Sequence, residues 1–281
     1  NEIGTYLRHL ANDPAVAKAA IMVDSSEWTT LIEGLKNAQG KCIVNSISLK
    51  NGEAEFIEHA KELHCFGAAV VVMAFDEKGQ ADTFERKIEV CQRAYDILVK
   101  KLHFPAHDVI FDVNVLSIGT GITEHANYGV DFIKAVAWIK EYLSGTLTSG
   151  GISNLSFSFR GNNNVREAMH SAFLYHAIAA GLDMAIVNPS MLQVYDEIPE
   201  DLLKAVEDVI LNRTDDATEM LIDMAPNMLN VDKEELVTAT QAEWRLASVE
   251  SRLATALEKG TSDYLSIDLP EALEVYEGDA V

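Results

Sequence analysis

The sequence predicts an α/β protein whose parallel strands wrap toward a barrel, and three observations lead there. A short apolar, β-rich run followed by a longer segment of helical periodicity recurs six times along the chain. The runs are almost continuously apolar, which marks parallel strands buried on both faces. In five of the six, a polar residue interrupts the run at or just past its C-terminal end: Asp24, Asn45, Asp112 with Asn114, Asn154 and Asn188. An open doubly wound sheet collects its ligand at one switch point, whereas a barrel draws on nearly every strand end. No G-x-G-x-x-G or G-x-x-x-x-G-K-[ST] follows any run, which removes the sequence support for a dinucleotide or P-loop site.

The elements follow in order. Residues Asn1–Lys18 read as a helix ahead of the first run, Ala19–Ser25. The later runs are Lys41–Ser48, Ala68–Phe75, Asp108–Asn114, Leu147–Ser153 and Met184–Pro189. Charged, helix-period segments lie between them at Gly52–Phe66, Asp82–Leu102, Glu124–Leu143 and Asn164–Gly181. Gln39-Gly40, Gly67, Pro105, Gly145 and Gly181 supply turn signals. After the sixth run, Asp201–Asn212 and Asp215–Ala225 read as helices and no further β-run appears. Pro226–Leu229 is a break, and Asp232–Gly260 is helical and strongly charged. The expected division is therefore a barrel over 1–225 and a linker opening a helical module over 226–281. Six strands cannot close an eight-stranded (β/α)8 TIM barrel, so two βα units are expected ahead of Asn1.

Composition limits the partners. The chain has 44 acidic and 22 basic residues, a formal charge of −22. Nucleic-acid backbones and anionic membranes call for basic patches, so neither is expected as a partner. No stretch approaches the ~20 apolar residues of a membrane span and no signal peptide is visible, which suits a cytoplasmic location. Cys42, Cys65 and Cys91 form no C-x-x-C pair, and no metal site is expected. His125, His170 and His176 fall on helical segments and read as structural or solvent-facing.

Asp and Asn residues at the ends of parallel strands converge on one pocket. A carboxylate accepts two N–H bonds from an amino-pyrimidine edge, and an amide offers one donor and one acceptor face. The alternative is that these residues merely cap the helices that follow. The stretch SGGISNLSFSFRG at 149–161 is the most specific. Gly150 and Gly151 allow close backbone approach, Ser153 and Asn154 enter the site, and Arg160 is placed to meet a carboxylate or carbonyl.

Six blocks then resemble one family in order and spacing. They are VDSS at 23–26, KCIVNSISLK at 41–50, GAAVVVMAFDEKGQA at 67–81, IFDVNVLSIGTG at 110–121, SGGISNLSFSFRG at 149–161 and REAMHSAFLYHAIAAGLDMAIVNP at 166–189. Together they resemble the pterin-binding domain of cobalamin-dependent methionine synthases, across roughly 1–225. EWR at 243–245 and the stretch after it resemble the start of that family's helical cobalamin-cap domain. The resemblance implies a (β/α)8 barrel holding 5-methyltetrahydrofolate, whose methyl group passes to cobalamin carried by a neighbouring module. A separate homocysteine-binding module completes methionine synthesis. It implies pterin contacts from Asp24, Asn45, Asp112 and Asn154, with Asn154 near the reacting nitrogen-5. Ser153, Arg160 and Asn188 join Asn114, on the strand of Asp112, as further candidates. The family's contributions from its first two strands do not occur in this sequence. Dihydropteroate synthase, the corrinoid iron–sulfur protein methyltransferases and a non-catalytic folate-binding module remain as alternatives.

Overall fold

The computed structural model describes residues 2–225, 247–259 and 264–275. Helix α1 (Glu2–Ala11) precedes β1 (Met22–Asp24), α2 (Trp28–Asn37), β2 (Ile43–Ile47), α3 (Glu53–Phe66) and β3 (Ala69–Met73). A hairpin of β4 (Phe75–Asp76) and β5 (Gly79–Gln80) leads into α4 (Phe84–Tyr95), which continues through a π-helical turn, Asp96–Lys101. Then come β6 (Val109–Asp112), α5 (Tyr128–Tyr142), β7 (Leu147–Ser149), α6 (Asn163–Ala179) and α7 (Glu200–Ile210). A helix α8 spans 217–225. Two more helices follow, α9 (Val249–Lys259) and α10 (Leu265–Val275), joined by Arg252 Nε donating to the buried Asp268 carboxylate at 3.1 Å. The expected break at 226–229 and the EWR at 243–245 lie outside the described residues.

The main sheet is parallel, in the order β1-β2-β3-β6-β7. The sixth run joins beyond β7 through a single parallel bridge, Gly151 to Ile186. Neighbours in space are thus neighbours in sequence, with helices between them. Helices α1–α7 pack on one face of the sheet. Val23, Val44, Val70, Val72, Val109 and Phe111 point into the large core that the helices complete. The alternate residues Ala69, Val71 and Ile110 point the other way, into a small cluster with Met22, Ile43, Met73, Leu147 and Met184. No helical residue belongs to that second cluster among the described residues. A doubly wound sheet carries helices on both faces; this one-sided arrangement is that of a barrel wall, left open between β1 and the 184–188 segment.

Most runs are shorter as strands than their sequence reading, the first covering only Met22–Asp24, the fourth Val109–Asp112 and the sixth a single bridge at Ile186. The third ends at Met73, because Asp76 turns the chain into the hairpin: its buried carboxylate accepts from Lys78 N–H at 3.0 Å and from Arg86 at 2.6 Å. The fifth ends at Ser149, where Gly150-Gly151 lets the chain turn into a 3-10 segment, Ile152–Phe159. Among the described residues, no helix is long and apolar enough to cross a membrane.

At Gly150, an added Cβ would lie 2.8 Å from Phe132 Cζ and 3.0 Å from Val115 Cγ2. Gly150→Ala is therefore expected to destabilise the fold by about 1–3 kcal/mol in urea unfolding. Unchanged stability would contradict this packing.

Candidate functional site

The site begins with the strand period of two. Met22, Ile43 and Ile110 sit in the small inner cluster, and two residues further along each strand the same face turns polar, at Asp24, Asn45 and Asp112. Register places Asp24 beside Asn45, and Asp112 between Met73 and Ser149. The inner face is thus apolar below and polar at its C-terminal rim. Over this rim lies a cavity of about 350 Å³, lined by Asp24, Asn45, Asp112, Asn114, Ser153 and Asn154, with Asn188, Met73, Gln80, Val115, Gly151, Ile186 and Val187. This volume is within the range of small-molecule sites.

The β6 side of the cavity is buried and closely bonded. Asp112 accepts the Asn114 N–H at 2.9 Å. Asn114 has a left-handed backbone, φ 61°, so the chain turns sharply just past the strand. Its amide Nδ2 donates to Ala74 O at 2.6 Å, while its buried Oδ1 meets no donor among the described residues. Beneath this turn lies Lys87, wholly buried on α4. Its ammonium donates to Val113 O at 2.6 Å and to Ala81 O and Asn114 O at 3.1 Å. Burial lowers the Lys87 pKa to about 8, against the raising influence of Cys91, Asp112, Asp131 and Asp82. Burial likewise pushes the Asp112 carboxyl up to about 6, opposed by the Asn114 N–H and the Lys87 charge.

The opposite side rests on the 3-10 segment that carries Ser153 and Asn154. Ser156 Oγ lies 2.7 Å from His170 Nε2 and accepts from Arg166 Nε at 3.0 Å. His170 Nδ1 faces Met191 O at 3.3 Å, so the ring donates there and receives the serine proton at Nε2. Burial, with Arg166 nearby, lowers the His170 pKa and favours the neutral ring; the Met191 bond opposes this. A serine–histidine pair suggests a nucleophile, but both side chains are fully buried. Their work is structural: they tie the Asn154 segment to the 189–191 turn beyond Asn188.

Helix capping accounts for only one of the strand-end residues. Asn188 Oδ1 accepts from Ser190 N–H at 3.1 Å and Ser190 Oγ at 2.8 Å, capping the short turn that follows. Asp24 caps nothing among the described residues: Glu27 is the N-cap of α2, and its N–H is taken by Ser25 Oγ. Asn45 is likewise free of this duty, since Ser48 caps the turn after β2. Asn114 lies in the loop past β6 and not on the strand itself. Arg160 is not at the cavity; it lines a neighbouring groove, with its guanidinium 4.4 Å from the Phe157 ring centre. His125 contacts Thr120 Oγ1 at 2.9 Å, and His176 contacts Glu207 at 2.7 Å. Sequence reasoning missed Lys87, whose signal was its place on the stripe Lys87, Val90, Cys91, Ala94 that α4 buries.

The raised Asp112 pKa has a definite sign. The folded state holds this proton more tightly than the unfolded chain, so the residue costs stability as pH rises through about 4 to 6 and costs it fully above that. Asp112→Asn is expected to stabilise the unliganded protein by about 1–3 kcal/mol at pH 7.5, with little change near pH 4. Urea unfolding at both pH values measures this, and a loss of stability at pH 7.5 would contradict it.

The family model described as "Pterin binding enzyme" matches residues 1–188. The match takes in all five strands of the main sheet, the 184–188 segment and every residue that lines the cavity. With two thirds of its length so matched, the chain belongs to the pterin-binding enzyme family.

Proposed function

We propose that this chain binds 5-methyltetrahydrofolate and passes the methyl group to cob(I)alamin on a neighbouring module, as part of methionine synthesis from homocysteine. In this reading the one-sided wall is part of a (β/α)8 barrel. The observation that carries the proposal is the buried Asp112 carboxylate at the cavity floor, with only one N–H partner among the described residues. A carboxylate in this position suits the two N–H donors of a pterin's amino-pyrimidine edge. The unpartnered Oδ1 of Asn114 is a further acceptor at the same edge.

Cob(I)alamin supplies the nucleophile when the neighbouring module presents it, so this chain needs none of its own. What the chain must do is hold the ring and help nitrogen-5 keep the electron pair of the breaking C–N bond. That nitrogen gains a proton or a strong hydrogen bond as the methyl leaves. Asn154, exposed at the rim, is the group for this task. An amide is a weak acid, so it orients a water or donates a hydrogen bond that strengthens as charge develops on nitrogen-5. Asp24 is a second candidate for the amino-pyrimidine edge, and Asn45 lines the cavity beside it.

Single-turnover methyl transfer to free cob(I)alamin, run beside calorimetric binding of 5-methyltetrahydrofolate, tests the reading. Asn154→Ala is expected to slow transfer on the order of 100-fold while changing affinity less than about fivefold. Equal losses would remove Asn154 from the transition state. Affinity should also fall below about pH 6, where Asp112 takes up a proton and loses an acceptor. A flat profile from pH 5 to 8 would remove Asp112 from the ring edge.

A further inference from the structure

Behind the cavity stands a charge that does not line it. Lys87 is wholly buried and lies outside the set of residues that form the cavity wall. Its ammonium has three N–H donors and no acceptor, and it meets three backbone carbonyls: Val113 O at 2.6 Å, with Ala81 O and Asn114 O at 3.1 Å. Each carbonyl belongs to a residue that lines the cavity or adjoins one that does. Ala81 follows Gln80, Val113 stands between Asp112 and Asn114, and Asn114 is itself in the wall.

Two loops therefore meet at the ammonium. The Asn114 amide ties them a second time, with Nδ2 donating to Ala74 O at 2.6 Å and more weakly to Ala81 O at 3.4 Å. Ala81 N–H closes the hairpin onto Ala74 O at 2.9 Å, and Ala74 N–H reaches Asp112 O at 2.8 Å. The ionisable groups that face Lys87 are Asp112 on β6, Asp131 on α5, Asp82 ahead of α4 and Cys91 on α4 itself. Burial holds the Cys91 thiol neutral. None of the three carboxylates bonds the ammonium directly among the described residues. A neutral lysine keeps two N–H donors and a lone pair, so it would leave one of the three carbonyls unmatched. The cage thus selects the charged form, against the burial that lowers its pKa to about 8.

We infer that Lys87 is a positioning residue for ring binding: its ammonium holds together the two loops that present Gln80, Asp112 and Asn114 to the cavity, and it does so only while charged. On the pterin reading of the cavity, which this role presupposes, the ring needs Asp112 as a double acceptor and hence ionised. The Lys87 charge opposes the burial that pushes the Asp112 carboxyl up to about 6. Binding then has two limbs in pH. Affinity rises as Asp112 loses its proton near pH 6, and falls as Lys87 loses its own above about pH 8.

Calorimetric titration of the 281-residue chain with 5-methyltetrahydrofolate, from pH 5 to 9.5, tests this beside Lys87→Met and Asp112→Asn. The unaltered chain is expected to bind on the order of tenfold more weakly at pH 9.5 than at pH 7. Lys87→Met should weaken binding on the order of tenfold at pH 7, remove the alkaline limb and move the acid limb upward. Asp112→Asn should remove the acid limb and keep the alkaline one, so that titration of the folate itself is read from what all three chains share. In the ligand-free protein, the Asp112 carboxyl carbon, assigned by its absence from Asp112→Asn, should titrate above about 6 in Lys87→Met when followed by carbon-13 NMR. A Lys87→Met loss that is the same at every pH, with the Asp112 titration unmoved, would make Lys87 a merely structural residue and overturn its positioning role. So would a flat affinity from pH 7 to 9.5 in the unaltered chain, a result that stands even if Lys87→Met does not fold. No binding by the unaltered chain at any pH would overturn the pterin reading and the role of Lys87 with it.

Discussion

The buried ammonium of Lys87 is the interaction on which the site depends. A lysine taken out of water must find acceptors, and this one finds three backbone carbonyls, from Ala81, Val113 and Asn114. Those carbonyls come from two loops at the strand-end rim, one after the hairpin beyond β3 and one after β6. Their capture fixes the turn that sets Asn114 in a left-handed conformation and brings its N–H back onto Asp112. The same charge, acting from behind, partly offsets the cost of a carboxylate buried at the cavity floor. The two ionisable groups are thus strained together: burial lowers one pKa and raises the other, and neither has a directly bonded counter-ion among the described residues. Under the proposed reading, a ligand with two N–H donors would relieve the carboxylate and turn a cost in the free protein into selectivity in the complex.

Much of the fold was legible because parallel strands buried on both faces write themselves as unbroken apolar runs. VVVM at 70–73 and VIF at 109–111 fall inside observed strands for that reason. Which face each residue took was less legible, since continuous runs lack the alternation that marks a face. The helices' confinement to one side of the sheet emerges only in the packing, with Val70 and Val72 toward the helices and Ala69 and Val71 away from them. The hairpin at Phe75–Gln80 was missed because its strands are only two residues each, although Asp76 and Gly79 bracket a local turn that Arg86 then braces.

The polar strand ends stood out because a lone Asp or Asn after an apolar run is chemically conspicuous. That reading located Asp24, Asn45 and Asp112 on one rim, and it could not separate Asn188, whose Oδ1 is engaged in a cap. It also placed Arg160 with the pterin residues, because both lie in one short stretch; the 3-10 path carries Arg160 past the cavity to the adjoining groove. Lys87 escaped because a lysine within a charged helix reads as surface, and only its alignment with Val90, Cys91 and Ala94 betrays a buried position.

A crystal structure of the chain with bound 5-methyltetrahydrofolate tests the central claim most directly. The ring is expected in the cavity at the strand ends, with its amino-pyrimidine edge within hydrogen-bonding distance of Asp112 and nitrogen-5 facing Asn154. A ring held elsewhere, for instance in the small apolar cavity of about 100 Å³ between Leu7 and Ala38, would contradict it. So would a ring in the cavity turned so that its amino group points away from Asp112.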